Sequence, residues 1–314
     1  MKNLKITLPS GYLIKGYRIE KTIGGGGFSF VYRATNIETK EPVAIKEFLP
    51  TSQARRLDNG RVEPISEETT VVYRQGIKRF FDEANALAKL NHPNIVHVTN
   101  FFRANNTVYM VMRYEEGKDL RWYIKRHSRG LSEKLIRTVF PLLLQGLHEL
   151  HNNQLLHLDI KPANILLRAG AVPLLLDFGA SQGALVGSNP IGPNTLTMGF
   201  APIEQHNKGL MGPWTDMYAL GASIWACMSG KAPPPATERV TKDKFKSALR
   251  TYGHRYSQQL LEAVDWCMQV NQLDRPQSAQ ALLDFLNRPL EVEPRPSNSG
   301  YLARLGLRLP WSKN

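Results

Sequence analysis

The stretch His157-Leu158-Asp159-Ile160-Lys161-Pro162-Ala163-Asn164, followed at a short interval by Asp177-Phe178-Gly179, constrains this chain more than any other feature. It gathers two carboxylates, an ammonium and an amide into a loop and the short hairpin after it. Asp159 can accept a proton from an incoming hydroxyl, and Lys161 can neutralise charge building on a moving phosphate. Asn164 and Asp177 offer the hard oxygen ligands that Mg²⁺ selects. The apolar runs Ile165-Leu166-Leu167 and Leu174-Leu175-Leu176 are expected to be strands that hold these loops rigidly.

At 314 residues the chain has room for one two-lobed domain or two small ones. Its 42% hydrophobic and 21% charged residues are those of a globular protein. No apolar run approaches the roughly 20 residues that span a bilayer. The start, Met1-Lys2-Asn3-Leu4, lacks the apolar core of a secretory signal. The two cysteines, Cys227 and Cys267, read as buried free thiols, and the expected location is cytoplasmic. A net charge of +13 invites a nucleic-acid reading, but the basic residues are scattered and lack zinc spacing or an aromatic RNA-binding box. A surface that attracts acidic or phosphorylated substrates accounts for the charge, so no dedicated nucleic-acid site is expected.

Residues 1–16 form a lead-in with alternating Leu4, Ile6 and Leu8. Tyr17 to Ile23 and Phe28 to Ala34 read as strands joined by Gly24-Gly25-Gly26-Gly27, a hairpin tip. Glycine lets a backbone turn its N–H groups toward phosphate oxygens, although flexible hairpin turns alone explain such clusters more often. Val43-Ala44-Ile45-Lys46 is a further strand, and its lysine by itself reads equally as a solvated residue. Residues 50–76 are a polar, turn-rich connection, with a small hairpin expected at Asp58-Asn59-Gly60. A helix over 80–90 carries Glu83, with Phe80, Ala84 and Leu87 toward the core. Val96 to Phe102 and Thr107 to Met112 form a strand pair, followed by an extended linker, Arg113 to Gly117. From Leu120 the periodicity is helical, with Pro141 expected to bend the helix over 135–151 or mark an early turn. His148 and His151 read as structural. Residues 180–196 have the composition of a mobile loop, and a basic, proline-punctuated tail occupies 289–314.

Taken together, H-x-D-x-K-P-x-N with D-F-G, G-x-G-x-x-S-x-V and V-A-I-K resemble the motif set of bacterial eukaryotic-like (Hanks-type) Ser/Thr protein kinases. The resemblance runs from about Tyr17 to Phe285. It implies an α+β, two-lobed fold: an N-terminal antiparallel sheet with one main helix over 17–112, a hinge at 113–117 and a mainly helical lobe over 118–288. It implies ATP-dependent transfer of a γ-phosphoryl group to Ser/Thr hydroxyls of proteins, this chain included, in bacterial signalling. Asp159 would be the catalytic base beside Lys161, and Glu83 would orient Lys46 onto the nucleotide phosphates. Asn164 and Asp177 would hold Mg²⁺, with Mn²⁺ as an alternative. The nucleotide would lie against Ile23, Gly24, Gly25, Gly26, Gly27, Phe28, Val31, Ala44 and Leu166. Met112 would close the back of the pocket, Arg113, Tyr114 and Glu115 would meet the adenine edge, and Asp119 the ribose. Asp216 would anchor the catalytic-loop backbone, Arg275 would pair with Glu204, and Thr197 would contact Asp159 and Lys161.

The sequence departs from that pattern in two places. Ser29 stands where a third glycine is usual, adding a side chain over the phosphates. Leu158 stands where most relatives have the arginine that binds an activation-loop phosphate, which removes the expected basis for control by loop phosphorylation. A nucleotide-binding scaffold with little turnover and a small-molecule kinase are the competing readings. The Thr197 to Glu204 segment argues against the latter because it resembles a protein-docking segment.

Overall fold

Period-2 alternation in the first third of the chain resolves into a six-stranded antiparallel sheet. The structure is a computed structural model that describes residues 6–178 and 196–289. Strands β1 (Leu13–Ile14), β2 (Tyr17–Gly25), β3 (Ser29–Asn36) and β4 (Pro42–Phe48) are followed by a hairpin, β5 (Ala54–Arg56) and β6 (Val62–Pro64). Helix α1 (Glu67–Leu87) then leads to β7 (Val98–Ala104) and β8 (Thr107–Arg113). The order across the main sheet is β1-β2-β3-β4-β8-β7. Between β7 and β8, Asn105 and Asn106 both take positive φ, 51° and 59°, the geometry a tight two-residue hairpin turn requires.

Strand alternation gives this sheet two apolar faces. One carries Ile14, Tyr17, Tyr32, Ala34, Val43, Ile45, Tyr109 and Val111, with Leu8 packed against them. The other packs against α1 through Phe48, which lies 5.8 Å from Tyr73 and 5.7 Å from Phe80 between ring centroids. A Cβ on Gly76 would come within 2.4 Å of Phe48 Cζ, so only glycine lets helix and sheet approach this closely. Of the alternating Leu4, Ile6 and Leu8, Leu4 lies outside the described residues. Leu8 is buried, Ile6 is exposed, and pairing starts only at Leu13.

The connection read over 50–76 is shorter than expected. Asp58-Asn59-Gly60 does turn the β5–β6 hairpin, but Glu67 to Gly76 is the first half of α1. The Ser66 hydroxyl accepts the Thr69 N–H, and Thr69 Oγ1 accepts the Ser66 N–H, a reciprocal cap. Threonine in place of the usual Glu or Gln at that third position blurs the start signal.

The second lobe begins at β9 (Lys118–Asp119) and α2 (Leu120–Arg126), then α3 (Glu133–Asn152), β10 (Ile165–Leu167) and β11 (Pro173–Leu175). Helix α3 continues through Pro141 for its full 20 residues. Helices α4 (Ile203–His206), α5 (Pro213–Ser229), α6 (Ala236–Thr241), α7 (Ala248–Tyr252), α8 (Gln258–Cys267) and α9 (Ala279–Leu286) complete it. Helix α5 is buried on all sides from Thr215 to Met228 and forms the centre of the lobe. Cys227 and Cys267 are free and fully buried, and burial pushes both thiols up. Among the described residues no helix is long and apolar enough to cross a membrane. Of the loop read over 180–196, all but Leu196 lies outside the described residues, as does the tail beyond residue 289.

Candidate active site

The catalytic-loop motif folds between α3 and β10 and is held from below. Asp216, near the start of α5, accepts the backbone N–H of His157 at 2.9 Å and of Leu158 at 2.8 Å. His151 on α3 shares the same carboxylate at 2.8 Å. Burial works against the Asp216 charge, but its bond to His151 and the neighbouring His157 outweigh burial and hold its pKa below the usual carboxylate range. His157 is itself enclosed. Its Nε2 lies 3.0 Å from the Leu176 carbonyl and its Nδ1 3.2 Å from the Asp159 N–H. That pattern fits a neutral ring carrying its proton on Nε2.

Above this support Asp159 meets three partners. Lys161 Nζ lies 2.9 and 2.6 Å from its two oxygens. Thr197 Oγ1 donates to Oδ1 at 2.9 Å and accepts from Lys161 at 2.9 Å. Asn164 Nδ2 donates to Oδ2 at 3.0 Å and to the Asp159 carbonyl at 2.9 Å. The pairing of β9 with β10 sets Asp119 opposite Leu166. Asp119 caps α2 through the Trp122 N–H at 2.7 Å.

From the sheet side, Lys46 reaches across to Asp177 Oδ1 at 2.8 Å and lies 3.5 Å from Glu83 Oε1. Desolvation opposes the Lys46 charge, yet Asp177 and Glu83 outweigh it and keep the ammonium protonated well beyond its ordinary range. Burial pushes the Glu83 carboxyl up to about 7 in spite of Lys46. Asp177 holds a left-handed backbone (φ 56°), and Phe178 after it is buried 4.4 Å from the His157 ring.

A cleft of about 810 Å³ separates the lobes, and every site residue expected from the sequence lines it. The glycine loop forms its roof, closed by the Gly26 N–H on the Ser29 carbonyl at 2.9 Å. A Cβ on Gly26 or Gly27 would meet no protein atom within 4 Å. Packing therefore does not demand glycine there.

Residues 17–287 match the protein kinase domain family. The chain belongs to that family. It is 28% identical over 316 aligned residues to the serine/threonine-protein kinase pkn3 of Myxococcus xanthus, covering 92% of this chain and 54% of that protein. The chain thus spans about half the length of this curated relative. A solved structure, the apo form of PpkA-294, is similar with a TM-score of 0.80 and 33% identity, over 90% of this chain and 100% of that one.

Membership in the protein kinase family implies ATP and a divalent metal. The donor set fits such a metal. Asn164 and Asp177 supply amide and carboxylate oxygens, and among the described residues no group of three His, Cys, Asp or Glu forms a complete metal site. A divalent cation held here would take its other ligands from phosphate and water. This protein kinase also lines its cleft with residues that the sequence motifs do not mark, among them Met110, Leu176, Lys118, Arg121 and Trp122. Met110 has a legible signal, because it shares the strand face of Met112 two residues later. The α2 residues give no such sign, since their position depends on the β9–β10 pairing.

Proposed function

We propose that this chain is an ATP-dependent protein kinase that transfers the γ-phosphoryl group to Ser/Thr hydroxyls of proteins, itself among them, in bacterial signalling. The observation that carries this reading is the closed Asp159–Lys161–Thr197–Asn164 network, in which a carboxylate, a cation and a hydroxyl are fixed together at the cleft mouth.

Asp159 accepts the proton of the acceptor hydroxyl as the oxygen attacks phosphorus. Lys161 faces the charge that gathers on the transferred group. Lys46, held by Glu83, pairs with the inner phosphates, and the glycine loop encloses them with N–H groups. The Asn164 amide nitrogen is engaged by Asp159, which leaves its oxygen, with Asp177, to hold Mg²⁺. Bound there, Mg²⁺ neutralises phosphate charge. Phosphoryl transfer needs mostly placement and charge, and both are supplied by these rigidly anchored loops. Lys161 and Thr197 beside Asp159 favour the Ser/Thr branch over tyrosine, and the free buried thiols fit a cytoplasmic setting.

The test is Asp159→Asn with labelled ATP, Mg²⁺ and arrays of Ser, Thr and Tyr peptides. Loss of a positioned base lowers turnover by about 10²-fold or more while leaving ATP affinity nearly unchanged. Near-normal phosphotransfer by this variant, or labelling confined to tyrosine, would overturn the assignment.

A further inference from the structure

A second buried polar cluster lies on the face of the sheet turned away from the cleft. Glu47 follows Lys46 on β4, so alternation directs it to the opposite face. There its carboxylate is fully buried. Tyr109 Oη donates to it at 2.5 Å and Tyr32 Oη at 2.7 Å. The third donor is the guanidinium of Arg56, from the β5–β6 hairpin. Arg56 also donates to the carbonyls of Ile6 and Gly60, each at 2.8 Å, and the Leu8 N–H donates to Tyr32 Oη at 3.2 Å. Residues 6–8 precede the region that matches the kinase family, yet they complete this cluster.

A buried ion pair is poor evidence of stability, because an apolar replacement of equal volume often does as well. What it supplies is one allowed geometry. Fixed donors from β3, β8 and the hairpin converge on the Glu47 carboxylate and restrict β4 to a single rotational setting. In that setting Lys46 points at Asp177 and Glu83 on the other face. The next residue, Phe48, seats α1 at Gly76 and so sets the depth at which Glu83 enters. Three consecutive residues thus join the β5–β6 hairpin, the phosphate-facing lysine and the helix that carries its partner.

We propose that Glu47 and Arg56 are positioning residues for Lys46, and that the β5–β6 hairpin acts as a clamp that sets the lysine's geometry toward the nucleotide phosphates. The proposal rests on the kinase reading above.

The test uses the full chain and the variant Glu47→Gln/Arg56→Met, which removes both charges together and leaves neither unpaired. Thermal melts establish that it is folded at the assay temperature. Single-turnover and steady-state rates are then measured in the wild-type and Lys46→Met backgrounds. In the wild-type background kcat is expected to fall about tenfold with the peptide KM unchanged, as loss of a transition-state contact implies. In the Lys46→Met background the same pair should cause no further loss, since residues acting through one side chain are non-additive with it. Should the double variant not fold, Arg56→Lys keeps the charge but loses the fork, and its loss, about threefold, should likewise vanish without Lys46. An undiminished loss in the Lys46→Met background, or no loss in the wild-type background, overturns the clamp while leaving the kinase reading intact. Full activity of Lys46→Met alone sinks the kinase reading and the clamp with it.

Discussion

The Asp216 carboxylate holds the Leu158 N–H at 2.8 Å across 58 residues of chain, and Leu158 is in the left-handed region at φ 62°. A branched side chain in that region costs about 1–3 kcal/mol, which the surroundings must offset. Asp216 offsets it by receiving two consecutive amides with oxygens that no amide side chain can both provide.

Asp216→Asn is therefore expected to place an NH₂ group against one of those backbone donors. Destabilisation of roughly 3 kcal/mol follows from losing a buried, charge-assisted network, and kcat should fall with it. Chemical denaturation measures the first effect and steady-state kinetics the second. A variant within about 0.5 kcal/mol of wild type would mean that the loop is held by other contacts.

His157 predicts a pH dependence of stability. Burial lowers its pKa below the ordinary 6.5, although Asp216 and Asp159 pull the other way. Protonating Nδ1 would also set a new N–H against the Asp159 N–H that Nδ1 now accepts. Below pH 6.5 the unfolded chain therefore binds more protons than the folded one, and stability falls as pH drops toward the folded pKa. The slope from this group is at most about 1.4 kcal/mol per pH unit. Denaturant midpoints from pH 7.5 to 5 should show the decline, and a His157→Gln variant should show a shallower one. Parallel slopes would exclude His157 as the source.

At Glu83, activity and stability are expected to part company. Both carboxylate oxygens are buried with no hydrogen bond, and the nearest cation is Lys46 at 3.5 Å. A carboxyl raised from 4.5 to about 7 by burial holds its proton more readily folded than unfolded, so stability falls as pH rises from 4.5 to about 7 and the whole penalty stands at higher pH. Glu83→Gln removes that penalty while Lys46 keeps Asp177. The variant should melt no lower than wild type at pH 8, yet lose about tenfold in kcat through misplacement of Lys46, less than Lys46→Met loses. A lower melting temperature with unchanged kcat would reverse the assignment.

Residues whose chemistry is local are legible in the sequence itself. Lys46, Asp159, Asn164 and Asp177 stand in motifs whose spacing fixes their neighbours, and they line one cleft. The pairs Asp216 with the loop amides and Arg275 with Glu204, the latter at 2.7 Å, follow from the family pattern. Elements that depend on weak local signals are harder to place. A threonine-based cap masks the start of α1, and Pro141 does not end α3 because packing of its buried face overrides one missing N–H. The Glu47–Arg56 cluster is hidden for a different reason. A glutamate after a motif lysine and an arginine in a polar hairpin each read as solvated, and only the sheet register brings them together with Tyr32 and Tyr109.

Leu158 carries the last prediction, which concerns regulation. Where the family pattern has an arginine, this side chain is buried against Leu156 and Met211. An isobutyl group in an apolar cluster contributes neither charge nor donors to a phosphate, so the bidentate clamp is missing at that position. Ser181, Ser188 and Thr195 are the candidate acceptors in the sequence and lie outside the described residues. A phosphate on any of them gains little ordering energy without its guanidinium partner. Phosphatase-treated enzyme, untreated enzyme and a Ser181/Ser188/Thr195→Ala variant should therefore phosphorylate one peptide at initial rates within about twofold, under 0.5 kcal/mol in the barrier. Leu158→Arg should not create the missing control, because it drives a charge into the Leu156–Met211 cluster and destabilises the loop by about 3 kcal/mol or more. A tenfold fall on phosphatase treatment, about 1.4 kcal/mol, would show that another basic side chain receives the phosphate.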